Sequence, residues 1–155
     1  MRNFVTGTSA LFLDASNLYH CINKKYSGAR LDFAKVKTLF ANLKEAYVYA
    51  ACENGQADNF IRMLKRFDYI PRIKKPRTVS KGIKKANCDI DIVVDVMSLY
   101  KNIDNVILGT ADGDFKPLIK HLNKQGRRTI VFGCNVSREL YCASEVIEIW
   151  RDILV

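Results

Sequence analysis

The sequence lacks any apolar run close to the roughly 20 residues that a transmembrane helix needs. Its first apolar stretch, residues 10–13, is also shorter than the core of about 7–15 residues that a signal peptide carries. Both absences argue against a membrane-inserted or secreted chain. We therefore expect a cytoplasmic protein with no membrane partner.

Cysteine pairs at metal-ligand spacing are missing as well. The five cysteines are widely scattered and form no C-x-x-C pair, which argues against a disulfide framework and against a structural zinc site. They are Cys21, Cys52, Cys88, Cys134 and Cys142. We interpret them as small apolar residues of the core.

The residues that mark two other classes of protein are absent too. There is no G-x-x-x-x-G-K-[ST] segment, so a P-loop nucleotidase is excluded. A phosphoacceptor receiver domain would need an aspartate after its third strand and a lysine after its fifth, and residues 73–75 and 132–134 provide neither. The two histidines, His20 and His121, lie in predicted helices, and we expect them to pack or face solvent rather than transfer protons.

Positive charge, by contrast, is in clear excess. The 155 residues include 25 Lys and Arg against 16 Asp and Glu, for a formal net charge of +9. Such a charge favours polyanionic partners, although composition alone does not separate RNA from DNA or from an anionic membrane. The length fits one domain, residues 1–155, with a substantial core.

Strand-like and helix-like segments alternate along the whole chain. We predict strands at 10–15, 45–51, 68–74, 105–110 and 128–133, with a weaker one at 145–149. Helices are predicted at 16–26, 32–43, 55–67, 88–102, 114–125 and 136–143. This alternation is typical of βαβ units and indicates an α/β fold with a mostly parallel sheet of five or six strands.

Aspartates follow two of the predicted strands. Asp14 ends the first strand, while Asp112 and Asp114 lie in the turn after the strand at 105–110, together with the hydroxyl of Thr110. Open α/β sheets place their chemistry at the carboxyl edge, where these carboxylates would converge. Since like charges at short range are costly unless a cation binds them, we predict a divalent metal site there. Each aspartate taken alone is also explained as a turn or helix-capping residue.

The helix predicted from residue 88 adds more acids. If Asn87 caps it, Asp89 lies in line with the apolar positions Ile92, Val93, Val96 and Tyr100. Asp91 lies about 200° away around the helix and Asp95 lies on the flank, where both can be solvated residues. The first turn of such a helix sits at the carboxyl edge of the sheet, so Asp89 joins the predicted metal site. Asn17, in the first turn of the first helix, can orient water or a phosphate oxygen, or serve as a turn residue.

Basic residues are concentrated just before that helix. Between Arg62 and Lys85 there are ten Lys and Arg residues and one acid, Asp68. The irregular segment 74–87 is either a flexible loop or a short hairpin, and it should lie on the same sheet edge as the acids. We predict a nucleic-acid-binding track rather than a merely solvated surface, made of Lys74, Lys75, Arg77, Lys81, Lys84 and Lys85.

Three ordered motifs give the chain a family resemblance. They are F-L-D-x-x-N-L at 12–18, K-x-N-x-D-x-D at 85–91 and T-A-D-G-D-F at 110–115, followed by G-R-R-T-I-V-F-G at 126–133 and by Ser137. From about residue 8 to 150 the chain resembles the NYN domain, a PIN-like nuclease family that includes the LabA-like group. The resemblance implies a Rossmann-like three-layer α/β/α sandwich, a Mg²⁺ or Mn²⁺ site and RNA as the usual substrate. By position it makes Asp14, Asp89, Asp112 and Asp114 the catalytic and metal-binding acids, with Asn17, Asp91, Thr110 and Ser137 in support.

Two residues depart from the pattern of that family. Ala86 and Ala111 stand where glycine is usual, and each loses backbone freedom, so either substitution could reshape its turn. We therefore weigh two functions. The first is a metal-dependent endoribonuclease that hydrolyses single-stranded RNA, and the second is a non-catalytic RNA-binding or regulatory module on the same fold. A homodimer is left open, since the tail from Trp150 to Val155 could pack on its own domain or on a second copy.

Overall fold

A six-stranded, entirely parallel sheet forms the centre of the computed structural model, which describes residues 6–53, 55–79, 83–85 and 87–155. The strand order is β3-β2-β1-β6-β7-β8. Its strands are β1 (Ser9–Asp14), β2 (Leu43–Ala51), β3 (Ile70–Lys74), β6 (Asn105–Gly109), β7 (Arg128–Gly133) and β8 (Glu145–Glu148). All six predicted strands are present, which confirms the α/β class with a parallel sheet.

Helices cover both faces of the sheet. They are α1 (Ala15–Lys25), α2 (Phe33–Leu39), α3 (Ala57–Arg66), α4 (Asp89–Leu99), α5 (Lys116–Lys124) and α6 (Arg138–Ala143). Short 3₁₀ turns at Tyr100–Asn102, Gly113–Phe115 and Arg151–Ile153 complete the order. Of these helices, none in the described part of the chain is long and apolar enough to cross a bilayer.

Two separate apolar cores explain why the central strands read as continuous hydrophobic runs. Leu18, Val36 and Leu64 from α1, α2 and α3 pack on one face. Ile92, Leu118 and Leu140 from α4, α5 and α6 pack on the other. Every residue of β1 and β6 is buried, because strands covered by helices on both faces have no solvent side to alternate toward.

The helix predicted over 32–43 is shorter in the structure. It ends at Leu39, and β2 begins at Leu43. Phe40 leaves the helical conformation and inserts edge-on against Phe132 in the core, while Asn42 takes a positive φ of 56°. Burial of an aromatic ring thus ends a helix that the local sequence pattern would continue.

The segment after β3 resolves the choice between loop and hairpin. Residues Arg77–Val79 (β4) and Ile83–Lys85 (β5) pair antiparallel as a two-stranded hairpin, whose backbone alone is described at these positions. Residues 80–82 and 86 lie outside the described residues, and with them the predicted RNA contact Lys81 and the departure at Ala86.

Of the two partners left open for the carboxyl-terminal tail, its own domain or a second copy, the structure shows the first. Leu154 forms an antiparallel bridge with Leu31, and the backbones of Val155 and Arg30 exchange two hydrogen bonds. Ile153 and Leu154 are buried because this bridge holds them over the core on the α1 face. The five cysteines are all free.

Candidate metal centre

The carboxyl edge of the sheet brings together the acids of two chain segments, the start of α4 and the turn after β6. Carboxylate oxygens of Asp89, Asp112 and Asp114 all lie within 4.8 Å of one another. We call these three side chains the acidic cluster. Asp89 and Asp112 are half-buried and Asp114 is exposed, so the cluster is open to solvent on one side. An oxygen-only donor set of this kind fits a hard divalent cation such as Mg²⁺ or Mn²⁺.

Asp112 and Asp114 are held by the backbone of their own turn. The Asp114 N–H donates to Asp112 Oδ1 at 2.9 Å, and the Asp112 N–H donates to Thr110 Oγ1 at 3.1 Å. Phe115, which is buried, anchors the turn in the core. The turn leaves a narrow space over Gly113, where a Cβ would lie 3.0 Å from Glu139 Oε2 and 3.2 Å from Ser137 Oγ. An alanine between the two acids would therefore require the side chains of Glu139 and Ser137 to shift by a few tenths of an ångström.

Asn87 positions the third member of the acidic cluster. Its Oδ1 accepts the Asp89 N–H at 2.6 Å, and its Nδ2 donates to Asp89 Oδ2 at 3.0 Å. Cys88, not Asn87, occupies the helix-cap position of α4, so Asn87 acts from one residue outside the helix that it was expected to cap. Burial raises the pKa of Asp89, Asn87 opposes that rise, and the charges of Asp112 and Asp114 add to it.

Asp14 lies beneath the acidic cluster without belonging to it. Its side chain is buried and caps α1 by accepting the Asn17 N–H at 3.1 Å. Burial raises the pKa of Asp14 to about 6, and the nearby charges of Asp89 and Asp112 contribute to that rise. Among the described residues, the set of mutually close carboxylates does not include Asp14. Asp14 therefore caps α1, and its carboxyl also lies close enough to the acidic cluster for the charges of Asp89 and Asp112 to affect its pKa.

Asn17 ties α1 to the loop that follows β6. Its Oδ1 accepts the Ala111 N–H at 2.9 Å, the Thr110 hydroxyl at 3.4 Å and the Cys21 thiol at 3.8 Å. This side-chain oxygen therefore serves the scaffold of the site. Ala111 is not among the described non-glycine residues with positive φ, which are Asn42, Asp68 and Asn135. The turn accommodates alanine there without backbone strain, so this departure removes nothing from the site.

Asp91 and Asp95 face β3 instead of the acidic cluster. Lys74 Nζ lies 2.7 Å from Asp91 Oδ2, and Arg72 Nε lies 3.2 Å from Asp95 Oδ2. Asp95 Oδ2 also accepts the hydroxyl of the buried Tyr49 at 2.7 Å. Lys74, a member of the predicted basic track, and its neighbour Arg72 are therefore already neutralised within the chain. The side chains of Arg77, Lys84 and Lys85 are not described, while Lys75 is exposed.

The remaining predicted residues are also placed. The Ser137 N–H donates to the Ala111 carbonyl at 3.3 Å, and its Oγ is enclosed without a hydrogen-bond partner among the described residues. Neither histidine is near the site: His20 is exposed beside Tyr19, and His121 packs edge-on against Tyr100. Glu139, whose carboxylate lies over Gly113, is not among the site residues predicted from the sequence. Its place in the first turn of α6, two residues after Ser137, is the only signal that could have indicated it.

Comparisons with known proteins agree with this geometry. The NYN domain family matches residues 8–149. This chain belongs to the NYN domain family. It is 31% identical over 150 residues to the low amplitude and bright protein LabA of Synechococcus elongatus, covering 88% of this chain and 80% of that protein. NYN domains are generally nucleases with a PIN-like fold, and the acidic cluster of this chain could bind a metal ion.

A solved structure shows the same fold. A protein of unknown function from Vibrio parahaemolyticus superposes over the full length of both chains with a TM-score of 0.87, at 22% sequence identity. At that identity the likeness establishes the architecture, an α/β fold with helices on both faces of the sheet.

Proposed function

We propose that this NYN domain is a metal-dependent endoribonuclease that hydrolyses single-stranded RNA, with residues 1–155 acting as one domain. The observation that supports this most is the acidic cluster itself, three carboxylates within 4.8 Å of one another. Two of the three are held by hydrogen bonds, since Asn87 Nδ2 donates to the Asp89 carboxylate and the Asp114 N–H donates to that of Asp112. Such an arrangement is electrostatically unfavourable unless a cation binds.

Asp89, Asp112 and Asp114 would hold Mg²⁺ or Mn²⁺, and Asp14 completes the catalytic set from beneath. When bound, a cation of this kind lowers the pKa of a coordinated water and neutralises charge on a phosphate. Asp14 caps α1 and so holds the first turn of that helix next to the site. Asn17, Thr110 and Ser137 hold the loop after β6 in place, and Asp91 supports the site only through its pairing with Lys74.

RNA would approach the acidic cluster along the hairpin side. We propose that Lys74, Lys75, Arg77, Lys81, Lys84 and Lys85 contact its phosphates. Lys74 is the weakest of these contacts, because Asp91 already offsets its charge. Cytoplasmic location remains a prediction from the sequence, as does a homodimer, for which the exposed side chains of Ile90, Val94 and Met97 on α4 offer an apolar surface.

Cleavage of a labelled single-stranded RNA tests the proposal. The unaltered chain and the variant Asp112→Asn, Asp114→Asn are compared in Mn²⁺, in Mg²⁺ and in EDTA. We expect cleavage only with a metal ion, and a loss of roughly a thousandfold or more in the variant. Thermal unfolding gives a second readout, because a cation that binds only the folded chain raises its melting temperature. That rise should vanish in the variant.

A matched control keeps the change of charge constant. The variant Asp58→Asn, Asp68→Asn removes two exposed carboxylates near α3, and asparagine suits the positive φ of residue 68. It should cleave RNA like the unaltered chain. If no metal supports cleavage while salt-sensitive RNA binding persists in all three proteins, the catalytic proposal fails and the RNA-binding module is the better account.

A further inference from the structure

An exposed tyrosine is fixed on the rim of the site opposite to the hairpin. The ring of Tyr141, on α6, is 50% exposed, while its hydroxyl donates to Glu148 Oε1 at 2.8 Å. Glu148 is itself held, since its two carboxylate oxygens accept the N–H groups of Asn135 and Val136, each at 3.2 Å. The ring therefore offers a face to solvent in a single orientation. When a ligand stacks on the ring, the tyrosine side chain therefore loses little further conformational entropy.

This tyrosine lies one helical turn from Ser137, which adjoins the turn that carries Asp112 and Asp114. Ser137, at the start of α6, donates to the Ala111 carbonyl and places its Oγ beside Gly113. The Tyr141 N–H bonds to the Ser137 carbonyl at 3.3 Å, so the two residues share a face of α6 about 6 Å apart along its axis. A nucleotide next to one bound at Asp112 and Asp114 is thus within reach of the ring.

Unpaired cations surround this rim. Lys24, Lys25 and Arg138 are exposed and, among the described residues, none forms a salt bridge within 4.0 Å. The end of α1 reaches this side, since the Tyr26 hydroxyl bonds to the carbonyl of Ile149, directly after β8, at 3.4 Å. Burial raises the pKa of Cys134 at the end of β7, and Lys25 opposes that rise, which places its ammonium nearby.

We propose that the ring of Tyr141 is a nucleobase-stacking subsite, and that Lys24, Lys25 and Arg138 bind the phosphates flanking that base. This inference rests on the proposed RNA substrate and adds a second wall to the site. The first wall, formed by β3, the hairpin and α4, contacts the RNA backbone. The second wall, formed by α1 and α6, binds a base. Aromatic stacking is tolerant of sequence, because every base has a π-face, so the subsite selects single strands without selecting a base.

Binding of an eight-nucleotide RNA with one 2-aminopurine tests the subsite. The label is moved along the strand, and binding is measured in the Asp112→Asn, Asp114→Asn background so that the RNA stays intact. At one position we expect the label to be quenched. Tyr141→Ala should remove that quenching and weaken binding by about tenfold, whereas Tyr141→Phe keeps the ring and should retain both within about twofold. An abasic nucleotide at that position should weaken binding equally, with no further loss in Tyr141→Ala.

Tyr19→Ala is the matched control. Tyr19 is 52% exposed and two residues before Cys21, so it projects about 200° away from the side of α1 that faces the site. Its loss should leave RNA binding unchanged. Thermal unfolding of the tyrosine variants verifies that each is folded.

Three results would overturn the subsite. The first is that, in the Asp112→Asn, Asp114→Asn background, Tyr141→Ala binds RNA and quenches the label as well as the protein with Tyr141 does. If the unaltered chain nevertheless cleaves RNA, the subsite is rejected and the nuclease proposal is retained. If Tyr141→Phe is as defective as Tyr141→Ala, the hydroxyl and its bond to Glu148 matter rather than the ring. If the chain neither binds nor cleaves RNA, the proposed function fails together with the subsite.

Discussion

The two walls beside the acidic cluster differ in how their cations are used. On the β3 and α4 wall, Arg72 and Lys74 are each bonded to a carboxylate of α4. On the α1 and α6 wall, Lys24, Lys25 and Arg138 have no such partners among the described residues. A count of charges along the sequence favours the first wall, yet two of the cations described there, Arg72 and Lys74, are already neutralised by carboxylates of α4. Pairing within the fold, rather than local charge density, thus decides what a basic surface can bind.

Asp14 lies between the two walls, and its replacement should change the free energy of unfolding more than the other substitutions considered below. Its carboxyl has a pKa of about 6 in the folded chain against 3.8 for an unperturbed group. Over that interval the folded state binds more protons than the unfolded chain, so the free energy of unfolding falls as pH rises from 4 to 6. Asp14→Asn keeps the cap on α1 and removes this cost. In EDTA at pH 7.5 it should unfold with a free energy about 3 kcal/mol higher.

Urea unfolding of both proteins from about pH 3 to 8 measures that difference. The two curves should converge as the pH falls below 3.8, because the Asp14 carboxyl is then neutral in both the folded and the unfolded chain. Equal stability of the two proteins at every pH would show that Asp14 is solvated. Its carboxyl would then be no more perturbed by burial than the exposed groups around the site.

Removing the unpaired cations should have the next largest effect. The triple variant Lys24→Ser, Lys25→Ser, Arg138→Ser should bind single-stranded RNA roughly thirtyfold more weakly at low salt, and the slope of log K against log salt should fall by about 2. Arg72→Ser, Lys74→Ser is the matched comparison and should change affinity less than about threefold, because those charges are already neutralised. Equal losses in the two variants would erase the distinction between the walls.

A smaller effect is expected at the buried end of the first wall. Tyr49→Phe removes the hydroxyl that donates to Asp95, and it should lower the free energy of unfolding by about 1 kcal/mol. RNA binding should not change, since Arg72 keeps its bond to the same carboxylate. Chemical denaturation and RNA titration of one preparation measure both quantities. A marked change in RNA affinity would mean that Arg72 had been released.

The smallest effect is a gain. Asp91→Asn frees Lys74 on an exposed pair, and it should tighten RNA binding by about twofold to threefold with little change in stability. RNA cleavage by this variant should persist. Lost cleavage with unchanged binding would instead place Asp91 in the metal centre, contrary to its position facing β3.

The sequence was sufficient to place the aspartates at one edge of the sheet. It was not sufficient to identify which side chains the neighbouring charged residues pair with. Asp14, Asp89 and Asp112 could be placed on one edge because strand ends and a helix start obey general rules of parallel sheets. The pairing of Lys74 with Asp91 could not, since it depends on how α4 lies across β3. The early end of α2 depends similarly on the packing of Phe40 against a strand far along the chain. Contacts between distant segments, rather than local propensity, account for what was missed.

Parallel pairing of β1 with β6 also orders events during synthesis. These neighbours are separated by α1, α2, β2, α3, β3, the hairpin and α4, and Asp112 and Asp114 follow β6. On a ribosome, Asp14 and Asp89 therefore emerge well before the two acids that complete the cluster. A nascent chain that stops before Asp112 cannot assemble the acidic cluster, so any activity of that cluster can begin only after β6 and the turn that follows it have been synthesised.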